Sequence, residues 1–341
     1  MKAMIFSAGF GTRMSVLSKH TPKPCLPYMG KPLIAHQLAW LSEYGVQEVI
    51  LNLHHLGDRV RATAEAHRPA GMNLVFLEED MIRGTAGGLM NAISLLYDEP
   101  EFLAVNGDIV TNIDLRIPLR SHRHRQSLAT LVLTGNTQHS DLFGVGVNAD
   151  GEITDFWGEP ANRNGLRRAA FTGIHVINPT FLSQLPPTGY ACIKDHGYLP
   201  ALHNNTVLHG VVMNGDWFDV GTPERYMDAH FSLLDDAPEW TGYTRRSPGV
   251  ISAELLPNSL RVQAPVVVGP GLKVLDPNAQ IGPGAFLGAN VTLGAQASVK
   301  QSIVWDNTVI EGLAQHAIVT PTEAVHVPPK PTMENEEETA S

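Results

Sequence analysis

Cysteine is scarce in this chain: only Cys25 and Cys192 occur among its 341 residues. Two thiols are too few for a disulfide framework or for a metal site built from thiolates, so we expect both to be reduced in a cytoplasmic protein. Long hydrophobic runs are also lacking, since no apolar stretch approaches the roughly 20 residues that cross a bilayer. The apolar start of the chain ends at Gly9 and Gly11, which is too early for a signal peptide.

An excess of basic side chains is missing as well. The sequence has 24 Lys and Arg against 34 Asp and Glu, a formal net charge of −10. Proteins that bind the backbone of nucleic acids are usually basic, so we do not expect nucleic acid as a partner. Because no stretch is long enough to span a bilayer, we do not expect a membrane as a partner either. A small phosphorylated ligand stays compatible with this balance, because it needs only two or three local cations.

Short apolar runs alternate with helical patterns in the first two-thirds of the chain. We interpret "AMIFSAG", "EVILNLHH", "NLVFLEE" and "FLAVNGD" as strands, and "PLIAHQLAWLSEYG", "RVRATAEAHR" and "AGGLMNAISLLY" as the helices between them. Such alternation predicts an α/β fold with a Rossmann-like, mostly parallel sheet covered by helices on both faces. Ligands of such sheets bind at the carboxyl ends of the strands.

The pattern changes from about Leu128 to shorter, strand-rich segments, which we interpret as an added lid or acceptor-binding part of the same domain. The stretch "RYMDAHFSLL" predicts a closing helix. We therefore expect a catalytic domain over 1–235, followed by a proline-rich and polar linker over 236–262.

An aliphatic residue recurs at every sixth position in the C-terminal part: Ile281, Leu287, Leu293 and Val299. This interval is typical of a hexapeptide β-helix. Leu275 extends the register backwards, and Val304 and Ile310 resume it after one slip. We expect a short left-handed β-helix over 263–322 that supports a homo-oligomer, and a disordered acidic tail over 323–341.

The stretch "AGFGTRMSVLSKHTPKPCLPYMGKPL" has the composition of an anion-binding loop. Gly9, Gly11 and Thr12 lie at the expected turn from strand to helix, where backbone N–H groups can approach a phosphate closely. The loop is not a P-loop, because no Gly-Lys-Ser/Thr follows it. Met14 occupies the third glycine position of a dinucleotide fingerprint, so that interpretation is disfavoured too.

The combination of "GFGTRM", "PKP" and "GKPLI" resembles the sugar-1-phosphate nucleotidylyltransferase family. The resemblance continues in order over some 220 residues, with "GTAGGL" similar to the family's nucleotide-base loop and "VNGD" to its metal-binding strand end. "FGV" and "FTGIHVINP" are similar to the sugar pocket, and "WFDVGTPERY" to a second metal motif. A C-terminal hexapeptide β-helix is common among relatives.

The resemblance implies transfer of a nucleoside monophosphate from a triphosphate to a sugar 1-phosphate, with release of pyrophosphate. Arg13 would hold the β- and γ-phosphates, Lys23 would contact the α-phosphate and the acceptor phosphate, and Asp108 and Asp219 would bind Mg²⁺. The implied nucleotide-binding residues are Ala8, Gly9, Gly11, Thr12, Arg13, Gly84, Thr85, Ala86 and Asp108. The implied sugar-binding residues are Gly144, Glu159, Thr172 and Gly173.

One position departs from the family pattern. Many relatives carry Glu-Lys-Pro before the sugar-pocket strand, with the lysine on the acceptor phosphate, whereas Glu159 occupies that place here. Either another cation replaces the lysine or the acceptor binds differently. The candidate cations are Arg163, Arg167, Arg168 and Lys194.

Three functions stay open from the sequence. The "GTAG" loop is most similar to guanylyltransferases for mannose or heptose 1-phosphate. A uridylyltransferase for N-acetylmuramate 1-phosphate or another hexose 1-phosphate is the second candidate, and a catalytically silent regulatory subunit that binds nucleotide sugars is the third. His54 and His55 are not expected to be a metal pair, because neighbouring residues of a strand point to opposite faces.

Overall fold

The computed structural model describes residues 1–14, 16–136, 141–160, 167–234 and 244–329. Its contacts divide the chain into two compact units. The first contains Met1–Thr12, Ser18–Leu26 and Pro32–Gly221, and the second contains Arg13–Leu17, Pro27–Lys31 and Thr222–Ser341. The units therefore do not simply follow one another, because two short segments near the N-terminus group with the C-terminal residues.

Helices and strands alternate up to about residue 106. In chain order, the strands up to residue 221 are β1 (Lys2–Phe6), β2 (Pro27–Tyr28), β3 (Lys31–Pro32), β4 (Glu48–Leu53), β5 (Asn73–Glu78), β6 (Phe102–Asn106), β7 (Ile109–Thr111), β8 (Ala129–Thr134), β9 (Val145–Val147), β10 (Ile153–Phe156), β11 (Arg167–Ile177), β12 (His209–Met213) and β13 (Trp217–Asp219). The α-helices are α1 (Leu17–His20), α2 (Leu33–Glu43), α3 (Gly57–Ala66), α4 (Gly84–Asn91), α5 (Ile93–Leu96), α6 (Arg116–Arg125), α7 (Leu199–His203) and α8 (Pro223–Phe231). Within the described ranges, none of the helices is long and apolar enough to span a bilayer.

A nine-stranded mixed sheet forms the centre of the first unit. Strands β6, β1, β4 and β5 lie side by side and parallel. Strand β11 then pairs antiparallel with β6, β8 and β9, and β12 pairs parallel with β8. The predicted parallel sheet is thus present in the strands that helices connect, β1, β4, β5 and β6. The strand-rich segments after Leu128 extend the same sheet, mostly in antiparallel pairing.

Apolar faces and end signals explain the local elements. Helix α2 buries Leu33, Ile34, Leu38 and Leu41, and Gly45 follows its end with a φ of +77°, a conformation that glycine adopts without steric cost. The predicted single helix "AGGLMNAISLLY" is instead divided at Ala92 into α4 and α5.

Short parallel strands dominate the second unit beyond residue 244. They are β14 (Thr244–Ser247), β15 (Val250–Ser252), β16 (Arg261–Val262), β17 (Val266–Val268), β18 (Lys273–Val274), β19 (Gln280–Ile281), β20 (Ala285–Leu287), β21 (Thr292–Leu293), β22 (Ser298–Lys300), β23 (Ser302–Val304), β24 (Val309–Ile310), β25 (Leu313–Gln315), β26 (Ala317–Val319) and β27 (Ala324–His326). They form three sheets in the orders β14-β15-β17-β20-β23-β26-β27, β16-β19-β22-β25 and β18-β21-β24. From β15 to β26, each strand therefore lies in a different sheet from the strand before it.

The predicted aliphatic positions form the interior between these sheets. Ile281, Leu287, Leu293 and Val299 are each fully buried in one hydrophobic cluster. The backward extension to Leu275 was wrong, because this side chain is 71% exposed. Val274 pairs with Leu293 in the strand register, so the next residue along the chain points to the opposite side.

Strands occur in parts of the predicted linker and tail. Strands β14, β15 and β16 lie within 236–262, and β15 and β16 pair with later strands of the same sheets. Strand β27 lies beyond residue 322 and pairs with β26. Residues 330–341, which include the acidic part of the predicted tail, lie outside the described residues.

Candidate active site

A cavity of about 260 Å³ opens at the carboxyl ends of the parallel strands β1, β4 and β6. Such strand ends are where open α/β sheets bind ligands. Its lining includes Lys23 and six of the predicted nucleotide-binding residues: Ala8, Gly9, Gly11, Gly84, Thr85 and Asp108. Thr12, Arg13 and Ala86 are not among the residues that line it. Residues of the predicted motifs thus line the cavity at the strand ends, where the fold class predicts a ligand site.

The loop after β1 is fastened to the neighbouring strand. Ser7 donates its backbone N–H to Asn52 Oδ1 (2.8 Å) and its hydroxyl to the Asn52 carbonyl oxygen (2.5 Å). Gly11 has a φ of +68°, and Ser18 Oγ donates to its carbonyl oxygen (2.8 Å). The loop therefore turns where glycine is required, while its first residue is held rigidly.

Lys23 and Asp108 meet in this cavity as an ion pair. Lys23 Nζ lies 3.0 Å from Asp108 Oδ2 and donates to the carbonyl oxygen of Gly221 (3.2 Å). The Lys23 side chain is 11% exposed and that of Asp108 is 22% exposed. A cation in such a partly dry site interacts with anions more strongly than it would in water.

Asp219 comes close to Asp108 through backbone pairing. It ends β13, which pairs antiparallel with β7, and the N–H of Val220 donates to the Asp108 carbonyl oxygen (2.9 Å). Two carboxylates at the ends of paired strands have the donor chemistry that a hard divalent cation prefers. Among the described residues, no group of three or more His, Cys, Asp or Glu side chains could hold a metal ion.

The "GTAGG" segment begins α4 and packs against the loop at Ala191. Gly84 has a φ of +72°, and a Cβ there would lie 2.6 Å from the Ala191 carbonyl oxygen. Ala86 donates its N–H to that same oxygen (2.9 Å), and Thr85 Oγ1 accepts from the N–H of Ile193 (2.8 Å). Glycine is needed here because two backbones approach more closely than any side chain allows.

A buried polar network behind the cavity was not predicted from the sequence. Asn52 Nδ2 donates to Glu79 Oε1 (2.9 Å), and Glu79 Oε2 accepts from the N–H of Arg83 (3.2 Å). Asn52 and Glu79 are each 4% exposed. This network links the glycine loop to the start of α4. The sequence indicates it only through a polar residue, Asn52, inside the apolar run "VILNL".

Gln37 supports the turn that carries Asp108 and was also missed. Its Nε2 donates to the carbonyl oxygens of Asn106 (2.8 Å) and Ile109 (3.0 Å), so it clamps both ends of the turn. Gly107 approaches β1 so closely that a Cβ would lie 2.4 Å from the Phe6 carbonyl oxygen. On α2, Gln37 looks like one polar interruption of an apolar face, which gives no hint of its partner.

The predicted sugar-binding residues fall into two groups. Thr172 is fully buried and donates its hydroxyl to the Val132 carbonyl oxygen (2.7 Å). Gly173 lies against the cavity wall, since a Cβ there would be 2.6 Å from Asn106 Nδ2. Gly144 accepts a hydrogen bond at its carbonyl oxygen from the N–H of Trp157, and Glu159 closes the same turn by backbone hydrogen bonds with Phe156.

Two of the cations proposed to replace the family's lysine at position 159 form ion pairs with acidic side chains. Arg168 pairs with the buried Asp155, and Lys194 Nζ lies 2.8 Å from Asp195 Oδ1. This ion pair raises the pKa of Lys194, with hydrogen bonding to Asp195 as the main cause. Arg163 lies outside the described residues.

Arg13 and the paired histidines have the following positions. Arg13 is exposed, lies in the 3₁₀ turn Thr12–Met14 and groups with the second unit, so its contact with a triphosphate stays a prediction.

His54 Nδ1 donates to the Glu79 carbonyl oxygen (2.7 Å), and Phe10 packs against His54 and His55 with ring centroids 5.4 and 5.7 Å apart. These contacts agree with a structural role for the two histidines.

Comparison with known proteins identifies a family and several similar proteins. The model of the nucleotidyl transferase family matches residues 2–236. The catalytic subunit beta of mannose-1-phosphate guanylyltransferase from Drosophila pseudoobscura pseudoobscura is 27% identical over 275 residues, which are 80% of this chain and 72% of that protein. A UTP–glucose-1-phosphate uridylyltransferase from Synechocystis sp. is 25% identical over 329 residues, 91% of this chain and 82% of the relative.

A solved structure supports the fold. HddC from Yersinia pseudotuberculosis, crystallised with GMP-PN, superposes with a TM-score of 0.57 at 22% identity, covering 68% of this chain and 99% of that one. The family model alone spans more than half of the chain. The chain therefore belongs to the nucleotidyl transferase family, which confirms the resemblance predicted from its motifs, and it is a nucleotidyl-transferring enzyme.

Proposed function

We propose that the protein transfers GMP from GTP to a sugar 1-phosphate, with mannose 1-phosphate as the first acceptor and a heptose 1-phosphate as the second, and that it releases pyrophosphate. The observation that carries this proposal is the strand-end cavity in which Lys23, Asp108 and the glycine loop meet. The guanylyl and mannosyl parts rest on the relative named mannose-1-phosphate guanylyltransferase and on the "GTAG" loop.

The reaction requires two polyanions to approach each other, so alignment and charge compensation carry the catalysis. Lys23 is held between Pro22 and Pro24 on a 3₁₀ turn, Lys23–Cys25, which limits where its backbone can move. In our proposal its ammonium leaves Asp108 to contact the α-phosphate and the incoming acceptor oxygen. The N–H groups of the loop at Gly9 and Gly11, with Arg13, hold the triphosphate.

Asp108 and Asp219 would hold Mg²⁺, because their carboxylates lie at the ends of paired strands and suit a hard divalent cation. When bound, that ion supplies Lewis-acid charge to the phosphate oxygens. Gln37 and Gly107 fix the turn that presents Asp108. No covalent enzyme intermediate is needed in this scheme.

For the second unit we propose a left-handed β-helix that follows a catalytic domain over 1–235. Three parallel sheets with a shared aliphatic interior support it. We place the start of the β-helix by Thr244, earlier than the sequence pattern indicates, because the strands from β15 onwards pair within its sheets.

A uridylyltransferase is the second candidate. It is favoured by the similarity to a UTP–glucose-1-phosphate uridylyltransferase, which extends over 91% of this chain. The "GTAG" loop favours the guanylyltransferase, and the choice of nucleoside triphosphate in an activity assay separates the two candidates.

The test is pyrophosphate release with Mg²⁺ over a grid of ATP, GTP, CTP, UTP and dTTP against mannose, heptose, glucose and N-acetylmuramate 1-phosphates. We expect GTP with mannose 1-phosphate to give the highest rate, and Asp108→Asn to lower it by at least ~10²-fold. Asp150→Asn is the matched control, since Asp150 is an exposed turn residue. Turnover confined to UTP would favour the second candidate, and nucleotide-sugar binding without any turnover would favour a regulatory subunit.

A further inference from the structure

Trp157 is a large aromatic residue in an unusual position. Phe156 and Glu159 exchange backbone hydrogen bonds (2.8 and 3.0 Å), so Trp157 and Gly158 form the tip of a two-residue turn. Their φ angles are +52° and +85°. Such turns favour Asn or Asp at the first position, and a bulky residue there is strained, as is often found at functional sites.

The turn is held rigidly from below. Asp155 is 1% exposed, and its carboxylate accepts hydrogen bonds from the N–H of Gly158 (2.8 Å), from Thr154 Oγ1 (3.0 Å) and from Arg168. The N–H of Trp157 donates to the Gly144 carbonyl oxygen. The position of the indole is therefore set by the backbone and by a buried carboxylate.

The indole of Trp157 packs on Gly144. A Cβ on Gly144 would lie 2.1 Å from Trp157 Cε2, so only glycine leaves room for the ring at this place. Even so, Trp157 is 63% exposed. The first unit thus keeps a fixed aromatic surface in contact with solvent, although burying an indole would stabilise the fold.

Two connections join this surface to the nucleotide cavity. Gly173 touches Asn106 in the cavity wall, and Ala169 pairs with Val145, the neighbour of Gly144. The four residue steps along β11 from Ala169 to Gly173 span at most about 13 Å. They run past the carboxyl end of β6, the end at which the cavity opens.

Lys194 forms the second connection. The N–H of the preceding residue, Ile193, donates to Thr85 Oγ1 in the cavity wall (2.8 Å), and Lys194 Nζ lies 5.6 Å from the centroid of the Trp157 indole. A cation at this separation from an indole is within the range of cation–π attraction. Aromatic surface and positive charge therefore lie together beside the cavity.

We propose that the open face of Trp157 is the platform on which the sugar ring of the acceptor stacks, and that it determines which sugar 1-phosphate is accepted. This inference rests on the proposed function. The C–H bonds of a pyranose carry partial positive charge and suit the negative face of an indole. Lys194, which is 40% exposed on a flexible stem, supplies charge for the phosphate, and Glu159, 65% exposed on the same turn, accepts from sugar hydroxyls.

Steady-state kinetics of Trp157→Ala and Trp157→Phe test the platform. We expect Trp157→Ala to raise the KM for the sugar 1-phosphate by about 10-fold or more while the KM for the triphosphate stays within about twofold, since only acceptor contacts are lost. Trp157→Phe keeps an aromatic face and should retain most of the affinity. Tyr97→Ala is the matched control, because Tyr97 is 57% exposed at the end of α5.

Fluorescence gives a readout that does not need turnover. Mannose 1-phosphate and glucose 1-phosphate should quench the tryptophan emission of the wild type, and Trp157→Phe should abolish that quenching. Wild-type turnover with an unchanged acceptor KM in Trp157→Ala would overturn the platform. Quenching that depends on Trp157 in a protein without turnover would instead support the platform and contradict the proposed transfer reaction.

Discussion

Lys23 is the residue on which the charge balance of the site depends. Its ammonium lies 3.0 Å from Asp108 Oδ2, and Asp108 is one of the two carboxylates that we assign to a divalent cation. If Asp108 binds the cation as we propose, lysine and metal ion would compete for the same carboxylate until a triphosphate offers the lysine a new partner. Lys23, to which we assign a catalytic role, should then weaken metal binding to the nucleotide-free protein.

Replacing Lys23 should separate these two effects. We expect Lys23→Met to raise the affinity of the nucleotide-free protein for Mn²⁺ by about 10-fold or more, because a unit charge next to the carboxylate is removed. Turnover should fall by at least ~10²-fold, because charge at the reacting phosphate is lost. Isothermal titration calorimetry measures the first effect and pyrophosphate release the second.

Lys273→Met provides the control, since Lys273 is exposed on β18 in the second unit and should change neither value. Unchanged or weaker Mn²⁺ binding by Lys23→Met would show that Asp108 does not take part in metal binding in the free protein.

Some residues of the candidate site could be predicted from the sequence, and others could not. Lys23 and Asp108 were predicted because their neighbours, two prolines and a strand-end glycine, form recognisable motifs. Gln37 and the Asn52–Glu79 pair were not, because their partners lie 27 to 72 positions away along the chain. A polar residue in an apolar pattern indicates a buried hydrogen bond without identifying the group that shares it.

The turn between β6 and β7 is the element that brings the acidic site next to the glycine loop. The N–H of Gly107 donates to the carbonyl oxygen of Phe6 at the end of β1 (3.1 Å). A side chain at position 107 would press directly on that backbone, so the parallel strands β1 and β6 can end side by side only with glycine here.

We expect Gly107→Ala to lower the free energy of unfolding by about 1–3 kcal/mol, because a Cβ would meet the Phe6 carbonyl oxygen at 2.4 Å. Turnover should fall by ~10²-fold, since a displacement of about 1 Å at Asp108 misaligns the reacting groups. Urea unfolding and pyrophosphate release measure the two effects.

Gly9→Ala is the control for stability, because a Cβ at position 9 meets no atom within 4 Å. Its unfolding midpoint should equal that of the wild type. If Gly107→Ala is equally stable, the close approach of β6 to β1 does not constrain this position.

The three sheets of the second unit differ in the residues that face outward. On the sheet that contains β17, β20, β23 and β26, the outward residues Val267, Phe286, Ile303 and Ile318 are apolar and buried. Helix α8 packs on this side, with His230 and Phe286 ring centroids 4.8 Å apart. Deleting 262–341 would therefore uncover α8, so surface substitutions test the role of this unit more cleanly.

The other two sheets expose Val309 and Leu313, at 60% and 65%. If these faces support the predicted homo-oligomer, Val309→Ser combined with Leu313→Ser should lower the mass measured by light scattering. Turnover should stay unchanged, because both side chains are exposed in the single chain and lie in the second unit, whereas the cavity that holds Lys23 and Asp108 lies in the first. Leu255→Ser, at a residue that is 85% exposed, is the control.

A wild-type protein that is monomeric, or an oligomer whose mass is unchanged in the double variant, would contradict an interface on these two faces.

The sequence by itself determined the alternation of strands and helices, the family and the aliphatic interior of the C-terminal strands. Each of these depends on residues that are close together in the chain: a period of two, 3.6 or six positions, or a short motif. Leu275 shows the limit of this reasoning. Counting back six positions from Ile281 predicts Leu275 as an interior residue, whereas strand pairing places the preceding residue, Val274, in the interior.

Only the tertiary structure decided which distant groups share a site. The antiparallel insertion of β11, the clamp of Gln37 on the Asp108 turn and the packing of Trp157 on Gly144 all join residues far apart in sequence. Their energies come from close packing and from the pairing of buried polar groups. Such interactions are properties of neighbours in space, and the order of residues along the chain does not specify them locally.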